Sequence, residues 1–204
     1  MYKPVVVALN RELSLDLERQ LERIMHPFTH EPWYVEPADD ECSPTHRCDG
    51  WRIGGRWSGR YLSSVVDDPD LVNSLCFPKD SPLAGYVACD GGPKRLLDLE
   101  RVRRTAGEEA WLRWPRFVAE RRGGPGFWTP RKEEPLHVIR AEFDEYVEVE
   151  RARAVTGADL VTHDGEWIDG DGGPGKADEY FRRAGEYIDK LDDDAWLVCL
   201  TVHF

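Results

Sequence analysis

Three arginines and two adjacent glycines lie close together in the segment GWRIGGRWSGRYL, which covers residues 50–62. Arginine guanidinium groups bind carboxylates and phosphates through two parallel hydrogen bonds, and a glycine lets a ligand approach the backbone closely. The segment therefore predicts a binding site for a small anion, with Arg56 as the anion-binding side chain beside Gly54 and Gly55.

Two interpretations of this segment place its side chains differently. If Gly54-Gly55 is a two-residue hairpin turn, each face of the hairpin mixes apolar and basic groups. If residues 51–62 form one strand, the aromatic side chains share one face, and Arg52, Arg56 and Arg60 share the other. We favour the single strand because it separates core-forming residues from charged ones. The glycines then mark a bulge or a close approach.

A second candidate segment is CDGGPKRLLDLE, in which Asp90 precedes two glycines and a predicted helix that begins at Pro93. Asp90 is a candidate catalytic carboxylate, and capping of the helix is an equally open interpretation. Lys94 is a candidate ligand-binding group and Asp98 a candidate acid or base. Because these two residues are four positions apart, an ordinary ion pair on the helix surface also explains them.

Two further candidates for proton transfer lie near the C-terminal end. Glu166 follows the Asp164-Gly165 pair in THDGEW, where a two-residue type I′ hairpin turn is predicted and His163 and Glu166 could interact across it. His203 lies in the closing strand, on the same predicted face as Cys199 and Thr201. An imidazole titrates near neutral pH, which makes His203 a candidate general acid or base, although a strand histidine is more often structural.

Cys42, His46 and Cys48 carry side chains of the types that zinc prefers. Their spacing matches none of the common zinc frameworks, so we favour an ordinary polar loop and expect no metal cofactor. A disulfide between Cys42 and Cys48 is a further alternative.

The predicted elements that must position these groups are strand, helix, strand, a long insert, hairpin, helix and strand. We expect a single α+β domain over residues 1–204, with a mainly helical and loop-rich insert at about 63–157. Without the insert, the order fits a ferredoxin-like (split βαβ) antiparallel sheet packed on helices. The last strand, AWLVCLTVHF, is apolar on both faces at its start, so it should be central and beside the first strand.

The composition of the chain limits the classes of partner and the compartment that we expect. The formal net charge is −12, which disfavours nonspecific binding to nucleic acid or to an anionic membrane surface. Five cysteines and the absence of a recognisable signal peptide predict reduced thiols and a cytoplasmic protein. The oligomeric state is not predicted.

The segments IGGRWSG, CDGGPKRLLDLE, DGEW and the closing VHF together resemble a group of uncharacterised proteins from actinobacteria and their phages. The resemblance implies that these residues occupy motif positions of that group: Gly54, Gly55, Arg56, Asp90, Lys94, Asp98, Gly165, Glu166, Trp167 and His203. It implies no reaction. The chain departs from the group's pattern before the DGEW turn and before His203.

Two functions are therefore open. One is an enzyme that acts on a small anionic substrate, with Arg56 binding the anion and Asp90, Asp98, Glu166 or His203 transferring protons. The other is a non-catalytic interaction protein of phage or mobile-element origin that inhibits or mimics a host partner. Its aromatic content and acidic charge suit a partner with a basic surface.

Overall fold

The computed structural model describes residues 1–11, 15–29, 47–121, 136–170 and 176–204. The helices are α1 (Leu17–Met25), α2 (Leu99–Arg121), α3 (Leu136–Thr156) and α4 (Lys176–Lys190). The strands are β1 (Tyr2–Leu9), β2 (Gly50–Ile53), β3 (Tyr61–Ser63), β4 (Leu75–Cys76), β5 (Val87–Cys89), β6 (Gly91–Pro93), β7 (Asp159–Val161), β8 (Trp167–Ile168) and β9 (Trp196–His203). The protein thus belongs to the α+β class, as predicted.

The main sheet is built around β9 and β1, which pair antiparallel along their whole length. Its order is β2-β9-β1-β7-β8, and β6 pairs with β9 on the side that also carries β2. Both central strands bury side chains on both faces, which explains their unbroken apolar sequences. The prediction that the last strand is central and lies beside the first is confirmed.

The ferredoxin-like topology is not confirmed, because the sheet is mixed. β1 and β7 pair in parallel, with Val6 opposite Leu160, whereas the predicted sheet is antiparallel. A parallel pair needs a long crossover connection, and the chain between β1 and β7 is long enough to supply one.

A second, three-stranded sheet has the order β3-β5-β4 and opens the predicted insert. The insert therefore begins with strands, and its two long helices follow. Its buried side chains pack into the same core cluster as the main sheet; members include Leu62, Leu71, Val102 and Val155 from the insert and Val6, Leu160 and Leu197 from the sheet. The insert boundaries and the single-domain organisation stay predictions.

Helix α2 begins later than the sequence predicts. Pro93 belongs to β6, and the Asp98 carboxylate caps α2 by accepting the Arg101 N–H at 2.8 Å. Pro115 lies inside α2 without ending it. The proline removes only the N–H bond toward Trp111, and that residue lies on the exposed side of the helix. None of the helices among the described residues is long and apolar enough to cross a membrane.

The hairpin between β7 and β8 is present, but its turn differs from the prediction. Thr162 and Glu166 close it through a backbone bond of 2.9 Å, which leaves three loop residues instead of two. Gly165 has a φ of 80°, the left-handed conformation that ends such three-residue loops.

The next element, α4, buries Tyr180, Ala184 and Ile188, as its sequence predicts.

Candidate functional site

The segment of residues 51–62 is neither a single strand nor a hairpin. β2 ends at Ile53, and Gly54 and Gly55, each with a φ of 63°, turn the chain into a short 3-10 helix. The chain then enters β3, which belongs to the other sheet. Both sequence-based interpretations are wrong, because two consecutive glycines with positive φ break the strand and send it to a new partner.

Gly54 and Asp90 meet at one residue of the central strand. The Gly54 N–H donates to the Cys199 carbonyl at 3.0 Å, and the Cys199 N–H donates to the Asp90 carbonyl at 2.8 Å. This junction exists because β2 and β6 lie end to end along the same edge of β9. A Cβ atom at Gly54 would lie only 2.5 Å from the Asp90 Cγ atom, so the glycine is required by this close approach.

The Asp90 carboxylate anchors the turn that follows Gly54. It is buried and accepts hydrogen bonds from Ser58 Oγ at 2.9 Å, from the Gly59 N–H at 2.6 Å and from Asn73 Nδ2 at 2.8 Å. We name residues 54–60 the arginine loop. A buried carboxylate that accepts three hydrogen bonds from the protein is typical of a structural anchor. The geometry therefore does not support a role for Asp90 in proton transfer.

Arg52 and Arg56 are the exposed cations of this region. The Arg56 guanidinium lies over the Trp57 ring at 5.8 Å, and the Arg52 Cζ lies 3.1 Å from the place of a Cβ on Gly55. Neither forms an ion pair with any carboxylate in the part of the chain that the structure describes. Arg60 differs, because its guanidinium is partly buried and donates to the Arg153 carbonyl. The three arginines therefore do not share one face.

His203 lies on the same side of the sheet as Arg52. Its Nδ1 is 3.1 Å from Asp49 Oδ2, and its ring packs on the Tyr2 ring with centroids 4.8 Å apart. Thr201 is opposite Arg52 and lies two residues before His203. The side chains of Arg52 and His203 are therefore diagonal neighbours across the two strands, roughly 7–8 Å apart. The His203 side chain is 44% exposed.

Lys94 and Asp98 lie elsewhere and do not pair with each other. Lys94 Nζ donates to the carbonyls of Asp189 and Leu191 at 2.9 and 2.6 Å, at the C-terminal end of α4. Asp98 caps α2 and also accepts a hydrogen bond from the Tyr86 hydroxyl at 3.2 Å. The predicted ion pair is wrong because residues 93–98 are not α-helical, and both contacts are structural.

Glu166 and His163 likewise do not interact across the hairpin turn. Glu166 pairs with Arg183 of α4 at 3.2 Å, and both side chains are about half exposed. His163 Nδ1 lies 2.6 Å from the Tyr187 hydroxyl, also on α4. Both side chains bind the hairpin to the helix, and neither lies at the arginine loop.

The possible zinc ligands Cys42 and His46 lie outside the described residues. Cys48 is a buried free thiol, which excludes the alternative of a Cys42–Cys48 disulfide in this structure. Burial raises the pKa of the Cys48 thiol, so metal-free thiolate is disfavoured there. Among the described side chains no group of three or more His, Cys, Asp or Glu residues is placed to hold a metal ion.

Comparisons with protein-family models, with curated proteins and with solved structures gave no match for this chain. The candidate site is therefore defined by geometry alone: the arginine loop, Arg52 and the His203–Asp49 pair. Sequence reasoning identified Gly54, Arg56 and His203 but missed Asp49 as the partner of the imidazole. Asp49 is followed by a glycine in the sequence, a pair typical of turns, and nothing local connects it to a strand end 154 positions later.

Proposed function

We propose that the protein is an enzyme that acts on a small anionic substrate at the surface formed by Arg52, Arg56 and His203. The observation that carries the proposal is the partly exposed imidazole of His203, which lies beside Asp49. This imidazole is a diagonal neighbour of the Arg52 guanidinium, which has no ion-pair partner among the described residues. Acid–base catalysts of this kind combine a group that titrates near neutral pH with a group that holds the substrate.

The roles follow from the contacts. Arg52 and Arg56 would bind a carboxylate or phosphate of the substrate, since a guanidinium presents a planar fork of donors to such groups. Asp49 Oδ2 lies 3.1 Å from Nδ1 of His203, and the proposal assigns proton exchange with the substrate to the other ring nitrogen, Nε2. Asp90 positions the arginine loop and would not touch the substrate. Asp98, Glu166 and Lys94 are left out of the proposed site.

We keep two wider expectations as part of the proposal. Four described cysteines, Cys48, Cys76, Cys89 and Cys199, are free thiols, which supports a reducing, cytoplasmic setting. The resemblance to actinobacterial and phage proteins rests on the sequence motifs alone.

Nuclear magnetic resonance (NMR) of the His203 and His163 rings tests the anion site directly. Inorganic phosphate and acetate are added while the ring signals of His203 and His163 are followed, because His163 is also accessible but lies on the hairpin. We expect a saturable shift at His203 and none at His163. Arg52→Gln should weaken binding at least about tenfold, because a hydrogen bond to a charged group is lost. No saturable shift at His203 below about 10 mM would contradict the proposal.

Turnover is measured separately on a panel of phosphate esters and small carboxylic acids. His203→Gln should abolish any turnover found, while the control His163→Gln should leave it unchanged. Equal turnover in both variants would remove His203 from the mechanism. Anion binding without turnover by the native protein would leave a binding protein and refute the enzyme.

A second candidate function, a non-catalytic interaction protein, has one observation in its favour. Trp111 and Leu112 of α2 are 66% and 77% exposed, and the Trp111 ring meets Phe143 of α3 at 5.3 Å. Exposed aromatic clusters with acidic neighbours suit protein partners that have a basic rim. Binding of a host protein that survives His203→Gln but is lost in the double variant Trp111→Ala/Leu112→Ala would favour this function.

A further inference from the structure

A cleft between α2, α3 and α4 lies on a different surface from the proposed anion site. Its volume is about 530 Å³, within the range of small-molecule binding sites. Charged side chains dominate its walls, with four arginines and four acidic residues: Arg103, Arg104, Arg151, Arg182, Glu100, Glu148, Glu186 and Asp189. A cleft with balanced charge stands out in a chain whose net charge is −12.

Most of these charges neutralise one another, in two pairs along single helices and one pair between α2 and α4. Ion pairs join Arg103 to Asp189 at 2.8 Å, Arg151 to Glu148 at 2.7 Å and Arg182 to Glu186 at 2.8 Å; these residues account for six of the eight. Glu100 and Arg104 remain, and neither has an ion-pair partner within the described parts of the chain.

Glu100 and Arg104 lie one turn apart on α2 and border the same cleft. A glutamate four residues before an arginine is the favourable order for a helix ion pair, yet this pair is not formed. Both residues line the cleft, Glu100 as an acceptor and Arg104 as a donor, with Cβ atoms about 5–6 Å apart.

We propose that this cleft binds a small zwitterion of the α-amino acid type. The ammonium group binds Glu100 and the carboxylate binds Arg104, so the ligand bridges the two unpaired charges. A multivalent anion fits less well, because it would have to displace the carboxylates that already occupy three of the arginines. The aliphatic stems of those arginines and Ala152 offer an apolar surface to the ligand side chain.

Gly185 of α4 supplies a way to close the cleft without disturbing the fold. It lines the cleft, and a Cβ atom built on it meets no other atom within 4 Å. A larger side chain there fills the empty space, and it also improves helix propensity. Gly185→Leu should therefore block binding and leave the melting temperature unchanged or slightly raised.

The test uses L-leucine as the probe, with N-acetyl-L-leucine and L-leucinamide as analogues that lack one charge each. Isothermal titration calorimetry with the full chain should give saturable binding of L-leucine below about 10 mM. Each analogue should bind at least about tenfold more weakly. Glu100→Gln and Arg104→Gln should have the same effect as removing the matching ligand charge. Glu108→Gln, an exposed acid of α2 outside the cleft, is the matched control.

Three results with the unmodified protein would overturn the proposal. They are no binding of L-leucine at this concentration, equal binding of L-leucine and its analogues, and binding of inorganic phosphate in place of L-leucine. Binding that is retained in Gly185→Leu would place the ligand elsewhere and also refute it. Because Arg52 and His203 are not part of the cleft, Arg52→Gln should not affect L-leucine binding, which separates this test from that of the proposed enzyme.

Discussion

Replacing Gly54 by alanine should cost far more stability than replacing a neighbouring strand glycine. Gly54 has φ 63° and ψ −95°, and its Cβ atom would lie 2.5 Å from the Asp90 Cγ. The backbone penalty for this sparsely populated conformation is about 1–3 kcal/mol, and overpacking against a held carboxylate adds about 1–3 kcal/mol. We expect a loss of roughly 2–6 kcal/mol, which lowers the melting temperature of a chain of this length by about 4–24 °C.

Urea unfolding of Gly54→Ala and of Gly50→Ala measures this cost. Gly50 is the matched control, because a Cβ atom there meets nothing within 4 Å and its φ is not positive. A double-mutant cycle with Asp90→Ala then isolates the clash. If the carboxylate is the obstacle, the double variant should be less destabilised than the sum of the single variants by at least about 1 kcal/mol. Additive costs, or equal costs for the two glycine variants, would refute the reasoning.

Three other predictions concern single groups elsewhere in the fold. Burial raises the pKa of Asp159, so its ionised form destabilises the fold above that pKa. Asp159→Asn should therefore stabilise the protein at pH 7, and urea unfolding should show that this gain in stability shrinks toward pH 4. Lys94→Met should lower stability by about 1–3 kcal/mol in the same assay, because two carbonyls at the end of α4 lose a charged donor. Burial raises the pKa values of Cys89 and Cys199 to about 11, so iodoacetamide at pH 8 should label exposed Cys76 before either of them, as mapped by mass spectrometry.

Elements with a strong apolar pattern could be predicted from the sequence. β9 and β1 are apolar on both faces, and α4 repeats its apolar residues at helical spacing, so their type and burial were predictable. The hairpin followed from Asp164-Gly165, but its loop length did not, because that depends on which residues close the turn. Sheet order also was not predictable, since the parallel pairing of β1 with β7 depends on the path of a long connection.

The candidate site was less predictable because its contacts join distant parts of the chain. Local patterns in GWRIGGRWSGRYL suit a strand, and nothing within it shows that Gly54 binds the Cys199 backbone. The sequence predicts a Lys94–Asp98 pair because it favours a helix there, whereas the acceptors of Lys94 lie at the C-terminal end of α4. Asp49 was missed because its partner, His203, is brought to it only by the pairing of β2 with β9.

The structure gives a physical reason for the IGGRWSG and CDGG segments to occur together. Gly54 must lack a side chain because the Asp90 carboxylate lies against it, and that carboxylate must be present because Ser58, Gly59 and Asn73 donate to it. The two segments are thus one structural unit, in which Gly54 and Asp90 hold the arginine loop in place and do not react. Within this unit, Arg56 is the side chain that would take part in the proposed anion site, together with Arg52 and His203. Changing Asp90 should therefore weaken anion binding through loop order, whereas changing Arg56 should weaken it with the fold intact.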